Sequence, residues 1–326
     1  MNRRDFLVSS SAAMFTGWAV GKGKESASSA TASAAGQKAA ASAATATEFR
    51  TLRRDVGVFT GRGGTIGWLA DKDALAIVDT QFPDTAGICL GGLPGRKDRR
   101  IDVVLNTHHH ADHTSGNGIF RPVARTIVAQ ANVPKLQFAA AERAERNPNV
   151  SSWARLTQQV YADTTFPEVW RHDVGGEVMT AQFNGPGHTG GDAVITFERA
   201  NVVHMGDLVF NRIYPVIDRA GGASIRNWIK ILAEAQRDYP ADAIYIYGHG
   251  NPKFGVTGTR SDLGVMHDYL TALVDYTQKQ IDAGKAKAEI VTLENMPGFE
   301  DFHAPAPNRL AGNLADAYDE LTAKAG

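Results

Sequence analysis

Short runs of apolar residues, each closed by a tight turn, dominate the chain from about residue 48 onward. The runs at 56–60, 66–70 and 74–79 are rich in β-branched and other apolar residues and are joined by Gly-Arg-Gly-Gly and Asp-Lys-Asp turns. Runs of this length suit strands and are too short for typical helices. The pattern therefore predicts a series of strands joined by tight turns at the start of the fold.

Farther along, the pattern alternates between strands and helices. Apolar runs at 101–105, 125–129, 174–183 and 193–197 predict strands, as do the runs that end at Gly206 and Gly248. The Ala-, Glu- and Arg-rich segment 131–146 predicts a helix, and helical spacing of apolar residues predicts further helices at 224–239, 261–282 and 308–324. Ser224 is predicted to cap the first of these three, with Trp228 on its apolar face.

The first residues carry an export pattern. Arg3-Arg4, then Phe6-Leu7 and a weakly apolar stretch, resemble bacterial twin-arginine signals, so residues 1–34 are predicted to be such a signal peptide and the protein to be periplasmic. The stretch is too short and too polar for an integral membrane span. Residues 35–47, rich in Ala, Ser and Thr, predict a disordered linker. Residues 48–326 are then predicted to form one domain with a C-terminal helical extension.

Charge and cysteine content exclude several classes of protein. Lys and Arg number 34 against 35 Asp and Glu, and the formal charge of −1 gives no electrostatic basis for binding nucleic acid or an anionic membrane. Cys89 is the only cysteine, so the chain has neither an internal disulfide nor a cysteine-based zinc site. We expect a small-molecule substrate as the partner, and the sequence leaves the oligomeric state open.

Residues 108–113, His-His-His-Ala-Asp-His, pack several metal-type side chains into one turn. Read as His-x-His-x-Asp-His, they supply His108, His110, Asp112 and His113 after a predicted strand, where α/β folds usually place their sites. Imidazole and carboxylate suit zinc, with iron and manganese as competitors. Four such groups exceed what one ion takes from one segment, which indicates two metals and hydrolysis. His109, the x of His-x-His, is expected to face away.

Three later segments also place a metal-type side chain at the end of a predicted strand or in a sharp loop. They are Gly187-His188, Gly206-Asp207 and Gly248-His249-Gly250. Glycine allows close approach to an ion, and a carboxylate in the apolar surroundings of Asp207 needs a compensating charge. Asp79 is interpreted as a turn residue that caps backbone amides, and His204 as a core histidine or one behind the site.

The ordered set of motifs resembles that of the metallo-β-lactamase fold hydrolases over roughly residues 49–260. The resemblance implies an α+β protein with an αββα sandwich, two β-sheets flanked by helices, and metals at one sheet edge. It implies two Zn²⁺ ions (Fe or Mn as alternatives) and a metal-bridging hydroxide as the nucleophile. By this resemblance, one metal would bind to His108, His110 and His188, and the second to Asp112, His113 and His249. Asp207 would bridge the two metals, and Asp112 would also orient the hydroxide.

Differences between the motifs of this chain and those of related subfamilies narrow the activity that the resemblance implies. Histidine-rich β-lactamases share the Asp112-His113 pair but generally lack the bridging aspartate, so Asp207 favours hydrolysis of a small ester, thioester or lactone. Diiron oxygen-reducing relatives carry Glu at the position of His110, which disfavours that redox function. Sulfur dioxygenases of the fold use one iron and fewer ligands, and they are a minor alternative. A periplasmic β-lactamase, or a non-catalytic accessory metal protein of a sulfur-oxidation or quinoprotein system, stands as the alternative.

A looser similarity covers the segment that follows Asp207. Residues 206–212, Tyr214-Pro215 and Trp228 look like an exported branch of the family that is associated with sulfur oxidation or quinoprotein systems. Asn211, Arg212 and Tyr214 come just after a ligand-bearing strand. They are therefore predicted to line the substrate pocket.

Overall fold

Two β-sheets face each other across an apolar layer and carry helices on their outer sides. The computed structural model describes residues 46–147 and 149–323. The predicted signal peptide (1–34), most of the predicted linker (35–47) and the last residue of the predicted helix 308–324 lie outside them. Within the described residues, the predicted α+β sandwich of two sheets flanked by helices is confirmed.

The first sheet contains seven strands, which lie side by side in the order of the chain. They are β1 Glu48–Arg53, β2 Val56–Thr60, β3 Ile66–Ala70, β4 Leu75–Val78, β5 Val103–Asn106, β6 Ile127–Gln130 and β7 Thr164–Phe166. Strands β1 to β4 pair antiparallel, whereas β4 to β7 pair parallel. Since parallel strands run in one direction, the carboxyl ends of β4 and β5 lie at the same edge.

The second sheet is mostly antiparallel. Its strands are β8 Val169–Val174, β9 Glu177–Phe183, β10 Ala193–Phe197, β11 Val202–His204, β13 Ile244–Ile246 and β15 Thr257–Gly258, and a separate parallel pair joins β12 Phe210–Asn211 to β14 His249–Gly250. The order across the sheet is β15-β13-β11-β10-β9-β8. Strands β11 and β13 pair parallel, so their carboxyl ends also meet at one edge.

Helices cover both outer faces of the sandwich. They are α1 Pro83–Gly92, α2 Ala111–Thr114, α3 Asn117–Phe120, α4 Val133–Glu145, α5 Ile225–Asp238, α6 Arg260–Asp282, α7 Lys287–Ile290 and α8 Arg309–Thr322. Among the described residues, none of them combines the length and apolar character that a membrane crossing requires.

Alternate side chains of the strands pack into different layers. In β4, Ala76 and Val78 lie between the sheets, whereas Leu75 and Ile77 pack outward with α1 and α3. Helices α5, α6 and α8 form the other outer layer around the buried Trp228. Each fully buried large aliphatic side chain stabilises the fold by about 1.5–3 kcal/mol, so these layers hold the strand ends in place.

The main departure from the predicted elements occurs at a turn. The strand predicted at 174–183 is the shorter β9, Glu177–Phe183. Before it the chain reverses at Gly175, with φ +60°, a left-handed conformation that glycine adopts readily, and pairs with β8, which was not predicted. Ser224 caps α5 as predicted, because its side chain accepts a hydrogen bond from the Asn227 amide. Cys89 is buried in the outer layer.

Candidate metal centre

The predicted metal ligands meet at one edge of the sandwich. The motif 108–113 follows β5, Asp207 lies in the 3-10 turn Gly206–Leu208 after β11, His249 follows β13, and His188 lies in the loop before β10. Each position is therefore set by the end of a buried strand or by a short loop attached to one. Such rigid support is what a precise site requires.

Backbone hydrogen bonds fasten the two sheets beside the ligands. The Ala193 amide donates to the Thr107 carbonyl at 2.7 Å, next to His108, and the Thr65 amide donates to the Gly248 carbonyl at 2.8 Å, next to His249. Sliding one sheet over the other would therefore move the ligands relative to one another. The packing of the sandwich sets the distances within the site.

The first ligand group consists of His108, His110 and His188. His110 Nδ1 lies 3.0 Å from His188 Nε2. One ligand atom from each of these three histidines and one from Asp207 lie within 4.8 Å of one another. His110 is partly exposed, whereas the other members are buried. Three imidazoles and a carboxylate in this arrangement make a zinc-type ligand set.

The second ligand group consists of Asp112, His113 and His249. His249 Nε2 lies 3.1 Å from Asp112 Oδ2 and 3.4 Å from His113 Nε2. His113 Nε2 lies 3.7 Å from Asp112 Oδ2. The three ligand atoms thus converge on one point, as required for a second cation.

Asp207 lies between the two ligand groups. Its Oδ2 is 3.8 Å from His108 Nε2, 3.5 Å from His188 Nε2 and 3.4 Å from His249 Nε2, and its Oδ1 is 3.1 Å from His113 Nε2. Burial opposes ionisation of this carboxyl, but the facing histidines, His249 first, outweigh it and hold its pKa well below the usual range. A carboxylate that reaches imidazoles of both groups is placed to bridge two cations.

Four of the five imidazoles are held from behind by a hydrogen bond at the outer ring nitrogen. The partners are Thr107 Oγ1 for His108 Nδ1 (3.1 Å), Asp218 Oδ2 for His110 Nε2 (2.9 Å), Asp79 Oδ2 for His113 Nδ1 (2.7 Å) and the Val216 carbonyl for His188 Nδ1 (2.8 Å). An outer nitrogen that donates a hydrogen bond leaves the lone pair on the inner nitrogen. The rings are thus oriented as metal ligands are.

The buried atoms and charges of the site fit divalent cations. His108 Nε2 and Asp207 Oδ1 are buried and have no hydrogen-bond partner within the described residues, a cost that a cation would remove. Burial, together with the neighbouring imidazoles, lowers the pKa of His188 to about 3, which keeps it in the neutral ligand form. Burial alone would lower the pKa of His249, but Asp207 and Asp112 raise it to about 10. The carboxylates therefore stabilise positive charge at this position.

Asp79 and His204 support the site from behind. Asp79 Oδ1 accepts the Thr107 amide at 2.8 Å, as expected of a turn residue, but its Oδ2 also holds His113. His204 is fully buried, and its Nε2 lies 3.1 Å from the Thr65 carbonyl. Neither belongs to a ligand group.

His109 and Asp218 form contacts that the sequence did not indicate. His109, which was expected to face away from the site, lies outside both ligand groups, and its buried ring has Nε2 3.3 Å from Asp218 Oδ2. The same oxygen holds His110. Asp218 itself was missed, because it lies 108 positions from His110 in a loop that carries no metal-type motif.

The three residues predicted to line the substrate pocket do not line the cavity next to His249. A cavity of about 170 Å³ adjoins His249, and of segment 211–214 only Ile213 lines it. Asn211 Nδ2 donates to the Gly255 carbonyl at 2.8 Å, and Arg212 pairs with Asp262. Tyr214 lines a separate cavity of about 390 Å³ against residues 291–295. The alternation of residues along a strand could not predict these positions, because the directions of the three side chains depend on tertiary contacts.

Solved structures with the same fold include two kinds of enzyme. A stereoselective inverting sec-alkylsulfatase from Pseudomonas sp. superposes with a TM-score of 0.63 at 15% identity, covering 85% of this chain and 50% of that one. A metallo-beta-lactamase from Pontibacter korlensis gives 0.55 at 18% identity, covering 69% and 99%, and one from Hirschia baltica gives 0.53 at 18%, covering 69% and 97%. This chain thus spans half the length of the alkylsulfatase.

The sequence itself matches a family model. The model of the metallo-beta-lactamase superfamily covers residues 59–249, which is more than half of the chain. The matched region runs from the second strand to His249 and so contains both ligand groups and the carboxylate between them. This protein is therefore a metal-dependent hydrolase that belongs to the metallo-beta-lactamase superfamily.

Proposed function

We propose that this protein is a dinuclear hydrolase of small esters, thioesters or lactones. The observation that carries the proposal is the position of Asp207, whose two carboxylate oxygens reach histidines of both ligand groups within 3.1–3.8 Å. A carboxylate between two complete ligand groups supports two cations rather than one. Zinc suits the imidazole and carboxylate ligands best, with iron and manganese as alternatives.

The chain's residues have separate parts in this reaction. The first ligand group would hold one cation and the second ligand group the other. Two bound divalent cations would lower the pKa of a shared water and polarise a substrate carbonyl. Asp207 keeps the two groups at a fixed separation, because both groups contact the same carboxylate.

Asp112 lies on the side from which substrate would approach. The side chains of His110, Asp112 and His249 are 20%, 27% and 25% exposed, whereas those of His108, His113 and His188 are buried. Burial opposes ionisation of Asp112, but His113 and His249 outweigh it and hold its pKa below the usual range. An ionised carboxylate at the open side is able to accept a hydrogen bond from an attacking water and orient it.

A sulfate ester is a second candidate substrate. The superposition on the sec-alkylsulfatase extends over 85% of this chain, against 69% for the two β-lactamases, so it takes in more than the region matched by the family model. The same ligand groups would serve a sulfate ester, because its oxygens are anionic and suit a pair of cations. A β-lactam is less well supported, since the assignment of Asp207 as the bridge departs from the histidine-rich β-lactamases.

We also propose a periplasmic location for the protein. Arg3-Arg4 followed by Phe6-Leu7 supports twin-arginine export, a route that carries folded proteins and would let the metals bind before export. Replacing both arginines with lysine should retain the protein in the cytoplasm, as measured by cell fractionation. Unchanged periplasmic recovery would argue against this route.

The proposed function is tested with zinc-loaded protein and a substrate panel. The panel contains an aryl ester, an acyl thioester, a lactone, a sec-alkyl sulfate and nitrocefin, and the wild type is expected to turn over at least one of the first three. Asp207→Ala should lower metal content and turnover together, because both groups lose a shared contact. The exposed Asp275→Ala in α6 is the control.

Each outcome distinguishes one possible function of the site from the others. Turnover of the sulfate alone would replace the proposed substrate class, and turnover of nitrocefin alone would favour a β-lactamase. Two bound metals with no turnover of any substrate would favour an accessory metal protein. Asp207→Ala with two metals and full activity would refute the bridging role.

A further inference from the structure

We propose that the C-terminal helix α8 holds the first ligand group in position through Glu320, Arg219 and Asp218, and thereby raises the metal affinity of that group alone. The proposal rests on the dinuclear site proposed above. Helix α8 lies beyond residue 249, where the match to the family model ends. The support for the site would thus come from a part of the chain outside the matched region.

The link begins at segment 216–224, called here the positioning loop. Its Val216 carbonyl accepts a hydrogen bond from His188 Nδ1 at 2.8 Å, and its Asp218 Oδ2 lies 2.9 Å from His110 Nε2. The Asp218 amide also donates to the His188 carbonyl at 3.3 Å. One loop therefore orients two of the three imidazoles of the first ligand group, and its displacement would turn both rings.

The Asp218 side chain is itself held by the loop. Its Oδ1 accepts the Gly221 amide at 2.8 Å, which closes the 3-10 turn Arg219–Gly221. The next residue, Gly222, has φ +91°, a conformation that side chains other than that of glycine rarely adopt. The direction in which Asp218 points therefore depends on the conformation of the whole loop.

Glu320 of α8 secures this loop at its far end. Its Oε2 accepts hydrogen bonds from Arg219 Nη1 at 2.7 Å and from the Ile225 amide at 2.9 Å, and its Oε1 accepts the Arg226 amide at 3.0 Å. Arg219 Nη1 also donates to the Ala223 carbonyl at 2.9 Å. The Glu320 side chain is only 12% exposed, and an ionised acceptor with little solvent around it forms strong hydrogen bonds.

The position of Glu320 also suits the start of α5. The first turn of α5 (Ile225–Asp238) has free backbone amides and carries the positive end of the helix dipole. Both features favour a carboxylate next to this turn. A single side chain thus joins α8, the positioning loop and the first turn of α5. Removing its charge should release Arg219 and, with it, the loop that aims Asp218.

The second ligand group is supported by different residues. His113 is held by Asp79 at the end of β4, and His249 stacks on Phe210 with ring centroids 5.3 Å apart. The hydrogen bonds of the positioning loop within the described residues reach His110 and His188 but neither His113 nor His249. The effect of Glu320 should therefore be confined to one metal position.

The test measures zinc affinity by competition with a chromogenic chelator in two backgrounds of the full chain. His249→Ala keeps the first ligand group intact, and His188→Ala keeps the second. Glu320→Gln should weaken zinc binding about tenfold in the His249→Ala background, in the range of losses from residues behind metal ligands. In the His188→Ala background it should leave the affinity unchanged.

A second variant separates the link from helix capping. Arg219→Gln breaks the contact to the loop but leaves Glu320 on the α5 amides, and it should weaken the same position. The combination with Glu320→Gln should be no worse than either single change, because both break one link. Asp319→Asn, which removes an exposed pair with Lys287 on α8, is the control and should leave zinc affinity unchanged.

The outcomes distinguish this proposal from the proposed function. Equal weakening in both backgrounds, or no weakening by Arg219→Gln, would overturn the link through α8. Weakening by Asp319→Asn to the same extent would also overturn it, since a general loosening of α8 would then explain the effect. A wild-type protein that binds no zinc at either group would overturn the dinuclear hydrolase itself.

Discussion

Asp79 shows how a single residue outside the ligand groups controls one that is inside. Its Oδ2 lies 2.7 Å from His113 Nδ1 and accepts the Thr107 hydroxyl at 2.7 Å. The residue is fully buried and has φ +63°, a left-handed conformation that is sparsely populated outside glycine. Strained backbone of this kind persists where the surrounding structure enforces it, as it often does at functional sites.

Replacing Asp79 with asparagine should lower the zinc affinity of the second ligand group about 10- to 100-fold. Asparagine tolerates the left-handed backbone, so the change removes the charge behind His113 with little effect on the chain path. Chelator competition measures the affinity, and Asp73→Asn, an exposed aspartate of the same sheet, is the control. Equal affinities for Asp79→Asn and the wild type would show that His113 needs no carboxylate behind it.

At the scale of elements, Asp71 joins two turns that belong to different sheets. Its Oδ1 accepts the amides of Asp73 (2.7 Å) and Ala74 (2.5 Å) in the β3–β4 turn, and its Oδ2 accepts the Gly176 amide (2.5 Å) in the β8–β9 hairpin. Burial opposes ionisation, but these amides outweigh it and lower the pKa of Asp71 below 3.8. The carboxylate therefore stabilises the sandwich at the edge away from the metal centre.

Asp71→Asn should lower the free energy of unfolding at pH 7 by about 1.5–3 kcal/mol, as expected for hydrogen bonds to a charged group. Because the folded pKa is depressed, the contribution is present above the unfolded value of 3.8 and is lost as the pH falls through the folded pKa. Urea unfolding at pH 7 and pH 3 should therefore show a smaller difference from wild type at pH 3. The exposed Asp98→Asn serves as the control, and a difference that is independent of pH would contradict the assignment.

Helix α8 shows that an element far along the chain can still reach the site. Its apolar side, with Leu310, Leu314 and Ala317, packs into the core formed with α5 and α6, as its helical spacing predicts. The polar Glu320 on the same helix contacts the positioning loop. The apolar pattern predicts the helix, whereas the contact of Glu320 follows only from how the helix packs.

At the scale of the whole molecule, the metal centre ties the two sheets together. Ligands from β5 of the first sheet and from β11 and β13 of the second meet at Asp207. Bound cations would therefore cross-link the sandwich at this edge. Metal ions that bind only the folded state stabilise it by an amount that depends on their concentration and affinity.

Removing zinc with a chelator should lower the melting temperature of the wild type. Zinc at a hundredfold excess over its dissociation constant adds about 2.7 kcal/mol per site, and each kcal/mol shifts the melting temperature of a large domain by about 2–4 °C. The expected shift is about 10–20 °C for two sites. Asp207→Ala should show a much smaller shift in the same calorimetric experiment. Equal shifts in the two proteins would mean that zinc stabilises the fold at some other place.

Much of the fold and of the ligand groups was predictable because the signals are local. Apolar runs closed by glycine and aspartate turns predicted the strands from β2 to β4, and helical spacing predicted α5, α6 and α8. The hairpin at Gly175 was missed, although the pair Gly175-Gly176 between two strand-like runs is a turn signal. The site residues that come together, from His108 to His249, each follow a strand or lie in a loop next to one.

The sequence by itself determined the ligand types and the strand ends that carry them, since both depend on neighbouring residues. Only the tertiary structure decided that Asp207 lies between the two ligand groups, that Asp218 and Asp79 hold His110 and His113, and that Arg212 turns to Asp262. Contacts such as that of Asp218 with His110 join residues 108 positions apart. They arise when buried layers bring strand ends and loops to one edge, and no local pattern of residues specifies that meeting.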